Sequence, residues 1–158
     1  MRTTSQPASA SNGATRRRVT RALTVAAATG AALALWIVTG PVAGIELTVD
    51  RAGATAEVGP AAVAFAAVVS GLAGWALLAV LERSVRRSKM VWTSIALIVL
   101  VLSLVGPLAQ ARTGSATAVL AGLHLLTGTI IIAGMASSAV PARPAHSTAE
   151  ETRRVAGQ

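Results

Sequence analysis

The chain carries few groups that could do chemistry. Its metal-ligating side chains come to two histidines and six Asp and Glu, with no cysteine. The absence of cysteine removes disulfides, thiolate metal sites and thiol nucleophiles together. His124 is the one ionisable side chain inside a long apolar run, and such a residue is a functional candidate by default. Two roles are open to it. One is a hydrogen bond to Ser103, Thr127 or a backbone carbonyl that glues helices together. The other is a station on a polar path with Ser103, Gln110 and Thr127. Haem held between helices wants two axial imidazoles, and His146 lies in a C-terminal tail. No Ser–His pair, paired aspartates or H-E-x-x-H offers an intramembrane protease, and no Walker or dinucleotide glycine loop is present. Small proton-coupled exporters need an acid inside their first helix, and this chain has none there. Glu46, Asp50 and Glu57 share one polar loop, where spread carboxylates are ordinarily solvated. The expectation is a protein that is not an enzyme, with no cofactor and no metal.

The elements that must position His124 are set by where charge is missing. All charged residues fall outside Ala22–Ile45, Ala61–Leu81, Met90–Ala109 and Ala116–Ala136, windows of 24, 21, 20 and 21 residues. Each reaches the ~20 residues that cross ~30 Å of hydrocarbon as a helix. The apolar residues run on without alternation, so strands fit poorly. Met90–Ala109, with Ile95 to Leu102 unbroken, would insert unaided. The first window is alanine-rich and marginal alone. It is also too long for the 7–15-residue core of a signal peptide, so cleavage is set aside. His124, eight residues into the fourth window, then sits roughly 12 Å deep at ~1.5 Å per residue. The fold expected is all-α: an integral membrane antiparallel four-helix bundle.

Orientation follows from the basic residues. Of 14 Lys and Arg, 12 lie in the two tails and Glu82–Lys89, and only 2 in the other two connections. The positive-inside bias places both termini and that loop in the cytoplasm, and the cell membrane as the site. Arg16, Arg17, Arg18, Arg21, Arg83, Arg86, Arg87 and Lys89 all abut spans. They are expected to hold topology and to touch anionic lipid headgroups, at about 1 kcal/mol apiece near the surface. Nucleic acid is not an expected partner, since the basic run at Arg16–Arg21 lacks aromatic residues for stacking. Beyond lipid, the partners expected are a second copy of the chain or another membrane protein. Trp92, near the start of the third span, is expected in the interfacial aromatic belt.

Within lipid, small residues mark helix contacts because no hydrophobic drive operates between spans. Gly30 on the first span, Ser70, Gly71 and Gly74 on the second, and Gly128 on the fourth are the packing candidates. Gly40-Pro41 and Gly106-Pro107 should end or kink the first and third spans, since proline lacks an N–H and restricts its predecessor. These pairs, with Leu72-Ala73-Gly74 matched by Leu120-Ala121-Gly122, suggest a duplicated helical hairpin. Domain organisation is then a basic disordered tail over 1–21, a transmembrane domain over 22–138 and a flexible tail over 139–158.

The combination of Val58-Gly59-Pro60, Gly71-Leu72-Ala73-Gly74-Trp75-Ala76-Leu77-Leu78, Leu81-Glu82-Arg83, Ser103-Leu104-Val105-Gly106-Pro107-Leu108 and His124-Leu125 resembles the small four-helix membrane proteins of unknown function common in high-GC actinobacteria. The resemblance covers about residues 20–138. It implies a four-span inner-membrane protein and carries no known activity. The function expected is structural or accessory, through helix–helix and lipid contacts. A small transporter or channel subunit using His124 is the rival.

Overall fold

Long runs of alanine and leucine hold helices, and prolines mark several of their limits: Pro41 in the turn that ends the first span, Pro60 at the start of the second and Pro107 beside the break in the third. A computed structural model of the chain describes residues 8–51 and 53–140. Helix α1 runs Ala8–Ile37 and passes into a π-helical turn at Val38–Val42. A hairpin of β1, Thr48–Arg51, and β2, Ala54–Glu57, follows. Next come α2, Pro60–Ser84, α3, Ser88–Ser103, the short α4, Val105–Gln110, and α5, Gly114–Ser138. Four helical segments are long and apolar enough to cross a membrane: Asn12–Val42, Pro60–Ser84, Ser88–Gln110 and Gly114–Ser138. The protein is an all-α, multi-pass membrane bundle of antiparallel helices.

Helix α1 packs on α2 and α5, and α3 packs on the same two, so α1 and α3 lie across the bundle. Two layers of core fill it. Towards one end, Val25, Ala28, Leu78, Trp92, Ile131 and Met135 pack together. Towards the hairpin, Ala32, Val63, Ala67, Leu120 and Leu123 do so. On α1 the inward residues Arg21, Val25, Ala28 and Ala32 recur at three and four, the period that puts them on one face. Thr20, Thr24 and Thr29 of α1 and Thr39 of the π turn each donate to the carbonyl four residues back.

The two Gly-Pro pairs act differently. Pro41 has no N–H to give, and the helix widens there, with Ala43 N–H donating to Val38 O at 3.0 Å. Thr39 Oγ1 leans on Leu35 O at 2.8 Å and lies 3.4 Å from Trp36 O, covering carbonyls near the break. Gly44, at φ +68°, then ends the element in the left-handed region that glycine tolerates best. Pro107 instead breaks the third span without ending it. The helix stops at Ser103, turns at Leu104, and resumes as α4 to Gln110.

Three expectations are corrected. Residues 8–21 are not a disordered tail: α1 is continuous from Ala8, since helix propagates cheaply from an established span through alanine and arginine. Residues 1–7 and 141–158, the rest of both expected tails, lie outside the described residues. The 46–60 connection, expected as a polar loop, contains the antiparallel hairpin, with Thr48 opposite Glu57 and Arg51 opposite Ala54. Trp92 does not sit in an interfacial belt but is 1% exposed in the core. Its polar edge is satisfied there, as the indole Nε1 donates to Gly74 O at 3.0 Å.

Candidate functional site

The densest polar constellation closes the end of the bundle that bears the loop between α2 and α3. Arg21, on the inner face of α1, puts its Nη2 2.6 Å from Glu82 Oε1 of α2. The same Nη2 donates to Ser138 O at 3.2 Å, and Nε donates to Ser138 Oγ at 3.0 Å, at the last turn of α5. Ser138 Oγ in turn donates a hydrogen bond to Met135 O at 2.9 Å. Just beyond α5, Val140 N–H donates to Glu82 Oε1 at 2.9 Å, and Ser88 Oγ of α3 donates to Val140 O at 3.1 Å. The guanidinium and the carboxylate thus join α1, α2 and the end of α5, and Ser88 ties α3 to them through the Val140 carbonyl.

Both charges are largely withdrawn from solvent, with side-chain exposures of 6% for Arg21 and 18% for Glu82. Taking two charges out of water is costly, so the pair is tolerable only with geometry this complete. Among the described residues, no buried side-chain N or O atom lacks a hydrogen-bond partner. Chemically the cluster is a clamp: it holds four helix ends at one spacing and presents no free nucleophile or base. Arg21 thus departs from its expected headgroup role, because it turns into the bundle. Arg16, Arg17, Arg18, Arg83, Arg86, Arg87 and Lys89 remain exposed around the same end.

The intramembrane polar candidates do not come together by hydrogen bonding. His124 Nδ1 is 2.8 Å from Leu120 O, a carbonyl of its own helix. Ser103 Oγ donates to Leu100 O, again locally, at 2.7 Å. Gln110 is exposed at the end of α4, and Thr127 is half-buried on α5. Ser103 and His124 each bond to the nearest turn of their own helix, as isolated polar groups in helices do.

Of the packing candidates, Gly71 and Gly128 are close-contact positions. A Cβ at Gly71 would come within 2.8 Å of Val25, and one at Gly128 within 2.5 Å of Leu100. Gly74 makes ordinary contact, 3.4 Å from Ile131. Gly30 and Ser70 are not at contacts within the chain: both are exposed, and a Cβ at Gly30 would meet nothing within 4 Å. The face Ala26, Gly30, Ala34 of α1 points outward, because the opposite face carries Arg21 and the bulkier Val25. The tightest approach is one that spacing alone did not mark: a Cβ at Gly134 of α5 would overlap the Thr24 side chain of α1.

At the far end, Trp36 Nε1 donates to Val58 O at 2.8 Å, pinning the hairpin to α1. Val49 bridges Ala111, and Arg112 pairs with Asp50 at 2.5 Å with both side chains 48% exposed. Sequence alone missed the Arg21–Glu82 pair, although one signal was present. Glu82 is the only acid next to the basic loop, and it falls at the same depth as Arg21 once the spans alternate in direction.

These observations define the class: a multi-pass, four-span helical membrane protein whose spans are clamped by a buried ion pair at one end. DUF6069, a family of unknown function, matches residues 12–141, and the chain belongs to that family. No curated protein and no solved structure matches it.

Proposed function

We propose that the protein is a structural or accessory component of the cell membrane, acting through helix–helix and lipid contacts, with both termini and the α2–α3 loop in the cytoplasm. The observation that carries it is the division of the polar groups. The buried ones are consumed within the bundle, in the Arg21–Glu82–Ser138 clamp, while seven cations stay exposed around that same end. Exposed arginine and lysine beside a span favour the cytoplasmic face and its anionic headgroups. The outward small-residue face at Ala26, Gly30 and Ala34 leaves α1 free to approach another membrane helix. No step of bond making or breaking belongs to this reading.

A small transporter or channel subunit is the second reading, favoured by the broken helices at Gly40-Pro41 and Gly106-Pro107, the kind of discontinuity that lines transport sites. Replacing His124 separates the two. Under the accessory reading, His124→Ala and His124→Phe shift unfolding in detergent and leave solute and proton flux into proteoliposomes at the background of empty vesicles. A wild-type flux that falls in stable variants would establish the transporter reading instead.

A further inference from the structure

A hollow of about 520 Å³ lies where the α2–α3 loop enters α3. Arg86, Arg87 and Lys89 supply three cations to its lining, and Thr93 and Ser94 supply two hydroxyls. None of the three cations has a salt-bridge partner among the described residues, and no carboxylate lines the hollow. The one acid nearby in sequence, Glu82, is committed to Arg21. Below the hydroxyls the character changes abruptly. Leu97, Ile98, Val101 and Leu102 are all exposed and form an outward apolar face along α3, while Met90, 62% exposed, lies above the hydroxyls beside Lys89. From Ser94 to Leu102 that face descends roughly 12 Å at ~1.5 Å per residue. Apart from Met90 at the level of the cations, the order is cations, then hydroxyls, then hydrocarbon, which matches a phospholipid from headgroup to acyl chain.

We propose that this hollow is a discrete site for the phosphate of an anionic phospholipid, whose acyl chains lie along the outward face of α3. The inference rests on the membrane-embedded, basic-end-inward reading above. It goes beyond that reading in assigning one lipid to one place rather than a diffuse charge rim. The guanidinium groups of Arg86 and Arg87 can each offer paired N–H donors to phosphate oxygens, and Lys89 adds a point charge. Ser88 Oγ is already bound to Val140 O, so the start of α3 is held in place beside the ligand.

The test uses the full chain reconstituted in nanodiscs of equal phosphatidylglycerol and phosphatidylcholine, then extracted and weighed by native mass spectrometry. Wild type should retain one phosphatidylglycerol, in about tenfold preference to phosphatidylcholine. The triple variant Arg86→Gln, Arg87→Gln, Lys89→Gln should lose that preference. The triple Arg16→Gln, Arg17→Gln, Arg18→Gln removes the same charge elsewhere on the same end and should change it less than about twofold. Ser94→Trp keeps every cation but places an indole between the cations and the apolar face, and should also abolish retention. Equal losses in the two triples, or full retention in Ser94→Trp, would mean a diffuse surface and overturn the proposal. Displacement of the lipid by millimolar inorganic phosphate would also overturn it, by making a small anion the ligand. Gel-filtration profile and unfolding temperature of each variant identify any misfolded one. Reporter fusions at Arg87 and Asp50 test the underlying topology separately, so a failed site and a failed orientation give different results.

Discussion

At the scale of single residues, the buried Arg21–Glu82 pair and the glycine contacts make opposite kinds of prediction. Removing one partner of a buried pair strands the other, so Arg21→Met or Glu82→Leu alone should cost about 3–5 kcal/mol. The double variant should recover much of that loss, because apolar groups of similar size leave no charge behind; Val140 N–H would still lose its acceptor. Equilibrium unfolding in mixed detergent micelles measures all three, and a double variant no better than the singles would refute the pairing. Gly134→Ala should destabilise by roughly 1–3 kcal/mol, since its Cβ must overlap Thr24 across the α1–α5 contact. Thr24→Ala in the same chain should restore part of it. Gly30→Ala meets no atom within 4 Å, and should leave stability unchanged or raise it by up to ~1 kcal/mol through helix propensity.

At the scale of elements, the interruptions matter more than the helices. The π turn at Val38–Val42 and the break before α4 both lie at the hairpin end, so the spans are straightforward helices at the basic end and irregular at the other. There the hairpin is short, and isolated two-stranded hairpins are marginal in water. It relies on the Trp36 indole at Val58 O, on the Val49–Ala111 bridge and on buried Leu47. Trp36→Phe removes the first of these while keeping the aromatic bulk. Amide hydrogen exchange at Val58, whose N–H donates to Leu47 O, should then accelerate by about fivefold or more, for a lost bond of ~1 kcal/mol. The half-exposed Arg112–Asp50 pair should contribute far less, and Asp50→Asn should leave that exchange within about twofold.

For the whole molecule, the charge distribution and the clamp define a polarity. Reporter fusions at Arg18, Arg87 and Val140 should all report the cytoplasmic side, and a fusion at Asp50 the opposite one. A fusion that placed Arg87 and Asp50 on one side of the bilayer would dismantle the arrangement. The clamp draws Arg21, Glu82, Ser88 and Ser138 from four different spans. Closure of that end is therefore a property of the assembled bundle and cannot be assigned to any one helix.

Sequence alone determined the number of spans, their approximate limits, their alternation and the one-sided distribution of arginine. Each of these depends on transfer between water and hydrocarbon, a quantity summed along the chain without knowledge of neighbours. It also marked Gly71 and Gly128, because small residues at helical spacing are needed where helices approach closely in lipid. Only the tertiary structure decided which face of α1 turns inward, and with it that Gly30 and Ala26 point out while Arg21 points in. Only it buried Trp92 against Gly74, paired Arg21 with Glu82 across 61 residues, and left His124 bonded within its own helix. Those outcomes depend on which side chains meet across helices, and one-dimensional hydropathy carries no information about rotation about a helix axis.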